Sequence, residues 1–151
     1  MTELTAEQKM KLLIPDRPWE DEPDEAEWVD EVTGYRCRIW RNPTQLTLNG
    51  YVGIPRGHPM AGMDYNDLND LVEVHGGLTY ASWDKETGIK WFGFDTNHGG
   101  DFSPHMYLTL LEVERDPQWY NDIEHYRDWE YVDHEVRYLA KQLEDLDEEL
   151  K

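Results

Sequence analysis

VHGGLTYASWDKETGIKWFGFDTNHGGDFSPH, residues 74–105, sits within the reading that decides the fold. Two apolar, β-favouring segments, Leu71–Tyr80 and Ile89–Phe94, flank a polar spacer, Trp83–Gly88, suited to a turn. On the first segment Val72, Val74, Leu78 and Tyr80 share one face, and Glu73, His75 and Thr79 the other. On the second, Trp91, Gly93 and Asp95 lie opposite Phe92 and Phe94. The pattern predicts two paired strands that bring His75 towards the loop Asp95–Asp101. The glycine pairs Gly76-Gly77 and Gly99-Gly100, set beside imidazoles and carboxylates, predict backbone in close approach to a strand or a ligand.

Working outward, Leu46–Ile54 contains Asn49-Gly50 between short apolar runs, which predicts a hairpin turn there. Tyr35–Trp40 alternates, with Tyr35, Cys37 and Ile39 on one side and Arg36, Arg38 and Trp40 on the other. Ile54–Pro59 reads as a rigid loop presenting Arg56 and His58, and Asp64–Asp70 as a polar turn or single helical turn. Towards the N-terminus, Thr5 and Gln8 form a capping box for a short helix ending near Leu13. Towards the C-terminus, the chain reads as helical over residues 122–149, with Asn121 and Glu124 as its cap. There Trp129, Val132, Val136, Leu139, Leu143, Leu146 and Leu150 follow a 3-4 spacing. The stripe suits a sheet surface or, over three heptads, a homodimer. The expected fold class is therefore α+β, a small, mostly antiparallel sheet with the long C-terminal helix packed on one face. Residues 1–31 read as an N-terminal helix and acidic arm, and 32–151 as a single domain.

The chain has 151 residues, and its 38% hydrophobic share includes seven Trp, nine Tyr and three Phe, enough ring volume for a core. The lone Cys37 excludes an internal disulfide and fits a reducing compartment. No apolar run approaches the ~20 residues of a membrane span, and the N-terminus lacks a signal-peptide core. A soluble, cytoplasmic protein is the expectation. The formal net charge of -19 opposes direct binding to nucleic acid or to an anionic membrane. Its distribution is uneven. Residues 16–31 hold nine acids, whereas 32–63 hold none and carry Arg36, Arg38, Arg41, Arg56 and His58. Those arginines either pair with the acidic remainder or form a local anion-binding surface.

Arginine grips phosphate bidentately and an aromatic ring stacks a base, so Arg36, Arg38 and Trp40 suit a nucleotide-like ligand. Arg56, His58, His75, Gly76, Gly77, Thr79 and His98 complete the candidate ligand-binding set. Asp95, His98, Asp101 and His105, with His75 nearby, carry donors for a divalent metal, although their spacing matches no standard ligand motif. The same residues serve equally as turn formers that bond their own backbone.

Four ordered strings, GYVGIPRGHPMAG, VHGGLTY, WFGFDTNHGGD and YRDWEYVDHEVRYLAKQL, resemble a family of small bacteriophage and prophage accessory proteins over roughly Tyr35–Leu143. The resemblance implies a setting rather than a reaction. Where such relatives read FDCAHAGD, this chain has Thr96 and Asn97 and so lacks the loop cysteine. Three functions follow as expectations. One is a pocket for a small phosphorylated ligand, sequestering a host defence signal. Another is a metal-dependent phosphoester hydrolase built on the His/Asp cluster. The third is an acidic inhibitor that mimics nucleic acid towards a host defence protein.

Overall fold

Alternating side chains on two central strands set the architecture. The computed structural model describes residues 3–151, apart from the side chains of 121–123. Strands β1 (Glu25–Val29), β2 (Arg36–Arg41), β3 (Leu48–Ile54), β4 (Tyr80–Asp84) and β5 (Ile89–Asp95) form one antiparallel sheet in the order β1-β2-β3-β5-β4. Period-two alternation buries Cys37 and Ile39 from β2, Val52 from β3, and Phe92 and Phe94 from β5 on one common face.

The helices are α1 (Ala6–Leu13), α2 (Tyr65–Leu68), α3 (Pro104–Glu112), α4 (Gln118–Ile123) and α5 (Trp129–Glu149). Helix α5 lies across the apolar face of the sheet and buries Val132, Val136, Leu139, Ala140 and Leu143 there, giving the expected α+β arrangement. Gly50 permits this approach, because a Cβ there would stand 2.6 Å from both the Phe94 ring and Val136 Cγ2. The 3-4 stripe is thus engaged by the chain's own sheet as far as Leu146, while Leu150 is exposed. A second cluster gathers Met10, Phe102, Tyr107, Leu111 and Tyr120, with Trp19 stacked on Phe102.

Several boundaries differ from the sequence reading. Residues 71–79 are not a strand. Gly76 and Gly77 adopt positive φ (67° and 80°), and the Gly77 amide closes a turn on the Val74 carbonyl. Among these described residues only the Thr79 amide reaches β5, at the Gly93 carbonyl, while three other amides bond side chains. The Glu73 amide donates to Gln142 Oε1, the His75 amide to Glu135 Oε1 and the Leu78 amide to Asn69 Oδ1. The partner of β5 is therefore Tyr80–Asp84, and the turn contracts to residues 85–88. Asn49-Gly50 lies inside β3 rather than in a hairpin turn, which falls instead at residues 43–45. Helix α5 starts at Trp129, not near 122, because the Asp128 carboxylate accepts from the Tyr131 amide as its cap. The expected Asn121 cap lies outside the described side chains.

The acidic segment is built into the sheet. Strand β1 pairs with β2, and Glu22 accepts from Arg41 Nη2, the Tyr126 hydroxyl and the Trp129 amide. Capping of α1 by Thr5 and Gln8 is as the sequence predicts. No helix among the described residues is long and apolar enough to cross a membrane.

Candidate functional site

Two places gather chemistry-bearing residues: a histidine–carboxylate cluster after β5, and the face of the sheet that α5 leaves open.

In the cluster, a turn through residues 98–101 closes on a 2.9 Å bond from the Asp101 amide to the His98 carbonyl and carries the Asp101 carboxylate inward. That side chain is 1% exposed. His75 Nε2 lies 2.8 and 2.9 Å from its two oxygens, the His98 amide donates to Oδ2 at 3.0 Å, and Arg127 Nε donates to Oδ1 at 2.9 Å. Burial by itself would raise the Asp101 pKa. The hydrogen bonds from His75, the His98 amide and Arg127 outweigh it and bring the carboxyl down to about 2. An ionised carboxylate only accepts, so His75 Nε2 carries a hydrogen. His75 Nδ1 meets the Tyr131 hydroxyl at 2.7 Å.

His98 completes the cluster. Its ring packs on Gly76, where a Cβ would come within 2.5 Å of Nδ1. The first glycine pair thus has its close approach, but to the chain's own imidazole rather than to a strand or ligand, whereas a Cβ at Gly99 or Gly100 would meet nothing within 4 Å. His98 Nδ1 lies 3.2 Å from Asp95 Oδ1 and 3.7 Å from Asp101 Oδ2. Despite the ion-pair distance to Asp95, hydrogen-bond geometry is missing, and this buried nitrogen has no hydrogen-bond partner among the described residues. Asp95 also accepts from the Asn97 amide and the Thr79 hydroxyl, so it acts as the turn former of the alternative reading.

The open face follows from register. Arg38 on β2 stands opposite Tyr51 on β3, Tyr51 opposite Gly93 on β5, and Gly93 opposite Tyr80 on β4. In the neighbouring row Arg36, Gly53, Trp91 and Ser82 align. Two glycines let rings lie close to the sheet. A Cβ on Gly93 would fall 2.4 Å from the Tyr51 ring, and one on Gly53 would fall 3.2 Å from Trp91. Arg38, Trp40, Tyr51, Tyr80 and Trp91 then enclose a shallow concavity of about 200 Å³. The Arg38 guanidinium is 5.9 Å from the Tyr51 ring centre and pairs with Glu25 at 2.9 Å.

The expected ligand-binding set is divided among separate places. Arg38 and Trp40 share the concavity, with exposed Arg36 in the next row. His75, Gly76 and His98 meet in the cluster, and Thr79 reaches it through Asp95. Gly77 packs against the Asn69 side chain. Arg56 lies 6.0 Å from the Trp83 ring. His58 is buried, with Nε2 donating to the Leu143 carbonyl and Nδ1 accepting from the Met60 amide, so both ring nitrogens serve the core rather than a ligand. Among the expected metal donors, His98 and Asp101 join His75 in one group, Asp95 approaches it through His98 at 3.2 Å, and exposed His105 sits on α3 outside it.

Sequence reasoning missed Tyr51, Tyr80, Trp91, Arg127 and Tyr131 as site residues. Alternation along β3 could have placed Tyr51 with Asn49, but the α5 contacts of His75 had no local signal. No protein-family model, curated protein or solved structure matches the chain.

Proposed function

We propose that the protein binds a small planar anion of the nucleotide class on the open face of its sheet. The observation carrying this reading is the concavity in which two tryptophans and two tyrosines surround one arginine. Aromatic planes stack a base at ~1–3 kcal/mol each, and a guanidinium recognises phosphate with two parallel hydrogen bonds. Size narrows the ligand. Pockets for drug-sized molecules start near ~300 Å³, so about 200 Å³ suits one ring system with its phosphate at the rim. The net charge of -19 opposes a long polyanion, which favours a mononucleotide over a nucleic-acid strand.

The Arg38–Glu25 pair is no strong obstacle, since both side chains are well exposed and such pairs contribute ~0.2–1 kcal/mol. The inhibitor reading has less support, because Glu22, Asp24 and Glu25 of the acidic segment engage Arg41 and Arg38 of the same chain. In the setting that the phage-family resemblance implies, the site would act in the bacterial host cytoplasm by withholding a nucleotide signal from a defence system.

Titration with adenosine and guanosine monophosphates, followed by tryptophan fluorescence, tests the reading. Saturable quenching is expected in the wild type, weakened at least tenfold by Trp91→Ala and by Arg38→Glu. Absence of saturable quenching with either nucleotide, or quenching indifferent to both substitutions, would refute it.

A further inference from the structure

We propose that His75, His98 and Asp101 form a three-donor binding site for a zinc-class divalent cation, with a solvent oxygen in the fourth position. The inference is independent of ligand binding on the open face.

One ligand atom from each of the first three residues lies within 4.8 Å of the others. His75 Nε2 is 2.9 Å from Asp101 Oδ2, and His98 Nδ1 is 3.7 Å from that oxygen and 3.2 Å from Asp95 Oδ1. Tetrahedral bonds of about 2.0–2.1 Å require donors about 3.3 Å apart, and the separations of the two imidazoles from Asp101 Oδ2, 2.9 and 3.7 Å, straddle that value. Small rotations of His98 and Asp101 would even them out.

Hydrogen bonding points the same way. A buried imidazole nitrogen without a partner costs free energy, and His98 Nδ1 is such an atom, facing two carboxylates. A cation held by His98, His75 and Asp101 would satisfy it. The supporting partners are also present. Tyr131 holds the far nitrogen of His75, and Arg127 and the His98 amide each hold one oxygen of Asp101. Such outer partners orient metal ligands and tune their affinity. Coordination through His75 Nε2 moves its hydrogen to Nδ1, where it donates to the Tyr131 oxygen, so the ring stays neutral. Two imidazoles favour zinc, cobalt or nickel over magnesium or calcium, which prefer all-oxygen sites.

Chelator-stripped full-length protein should take up one Zn²⁺ per chain by calorimetry, and Co²⁺ should give the visible absorption of a four-coordinate centre. His98→Ala should weaken Zn²⁺ uptake at least tenfold while circular dichroism confirms the fold, since that side chain is 34% exposed and its removal is mild. Tyr131→Phe should weaken uptake by about 10-fold or more through loss of the outer partner. No saturable uptake by folded wild type would overturn the proposal. So would stoichiometric uptake that His98→Ala leaves unchanged, because the ion would then sit elsewhere.

Discussion

At the scale of single residues, burial changes the chemistry that composition suggests. Cys37 is fully enclosed beneath α5, and burial pushes its thiol up to about 12. The fold therefore holds the thiol neutral. Its contribution to stability is complete below the ordinary value of 9.0 and is lost as pH rises from there towards about 12. Urea midpoints of wild type and Cys37→Val should converge or cross along that alkaline limb; parallel curves would show that the thiol does not titrate on unfolding. His58 shows the same principle. A histidine between two prolines looks like a presented ligand group, yet its two ring nitrogens join the Met60 amide to the Leu143 carbonyl.

Secondary-structure elements are decided by where glycine allows close approach. Gly50 and Gly93 stand opposite each other's neighbours on β3 and β5 but serve opposite faces of the sheet. At Gly50 an added methyl meets Phe94 and Val136, so Gly50→Ala should cost about 1–3 kcal/mol through overpacking. Chemical denaturation would measure this. At Gly93 the added methyl meets the Tyr51 ring on the open face. Gly93→Ala should therefore lift that ring and impair the proposed nucleotide binding more than it lowers stability. Equal stability losses at the two positions would contradict this division of the sheet. The pairing of residues near 80 and 90 was legible from alternation around a turn. The strand boundary at Tyr80 was not, because the amides of Glu73 and His75 find partners on α5, more than fifty residues away.

Over the whole molecule, the acidic segment and the acid-free window explain each other. Arg41 is buried with Glu22, whose other oxygen accepts from the first amide of α5. One carboxylate thus ties the acidic segment, the sheet and the long helix together. Removing one partner of a buried pair leaves a charge without compensation, and Glu22→Ala should destabilise by about 3 kcal/mol. Glu25→Ala breaks only the exposed pair with Arg38 and should cost less than about 1 kcal/mol. Thermal or urea unfolding of the two variants tests the contrast. Similar losses would mean that Glu22 is no more central than a surface charge.

The sequence by itself determined the fold class, the apolar stripe of α5, the capping of α1 and the nearness of His98 to Asp95 and Asp101. Each follows from a local period, a cap or a spacing of a few residues. Only the tertiary structure decided which charges pair, that His58 belongs to the core, and that His75 meets Asp101 between Tyr131 and Arg127. It also decided that Arg38 and Trp40 share a surface with Tyr51, Tyr80 and Trp91. These facts join residues up to about a hundred positions apart, as in the Glu22–Tyr126 contact. Sheet register and helix docking create such neighbours, and no short-range pattern encodes either one.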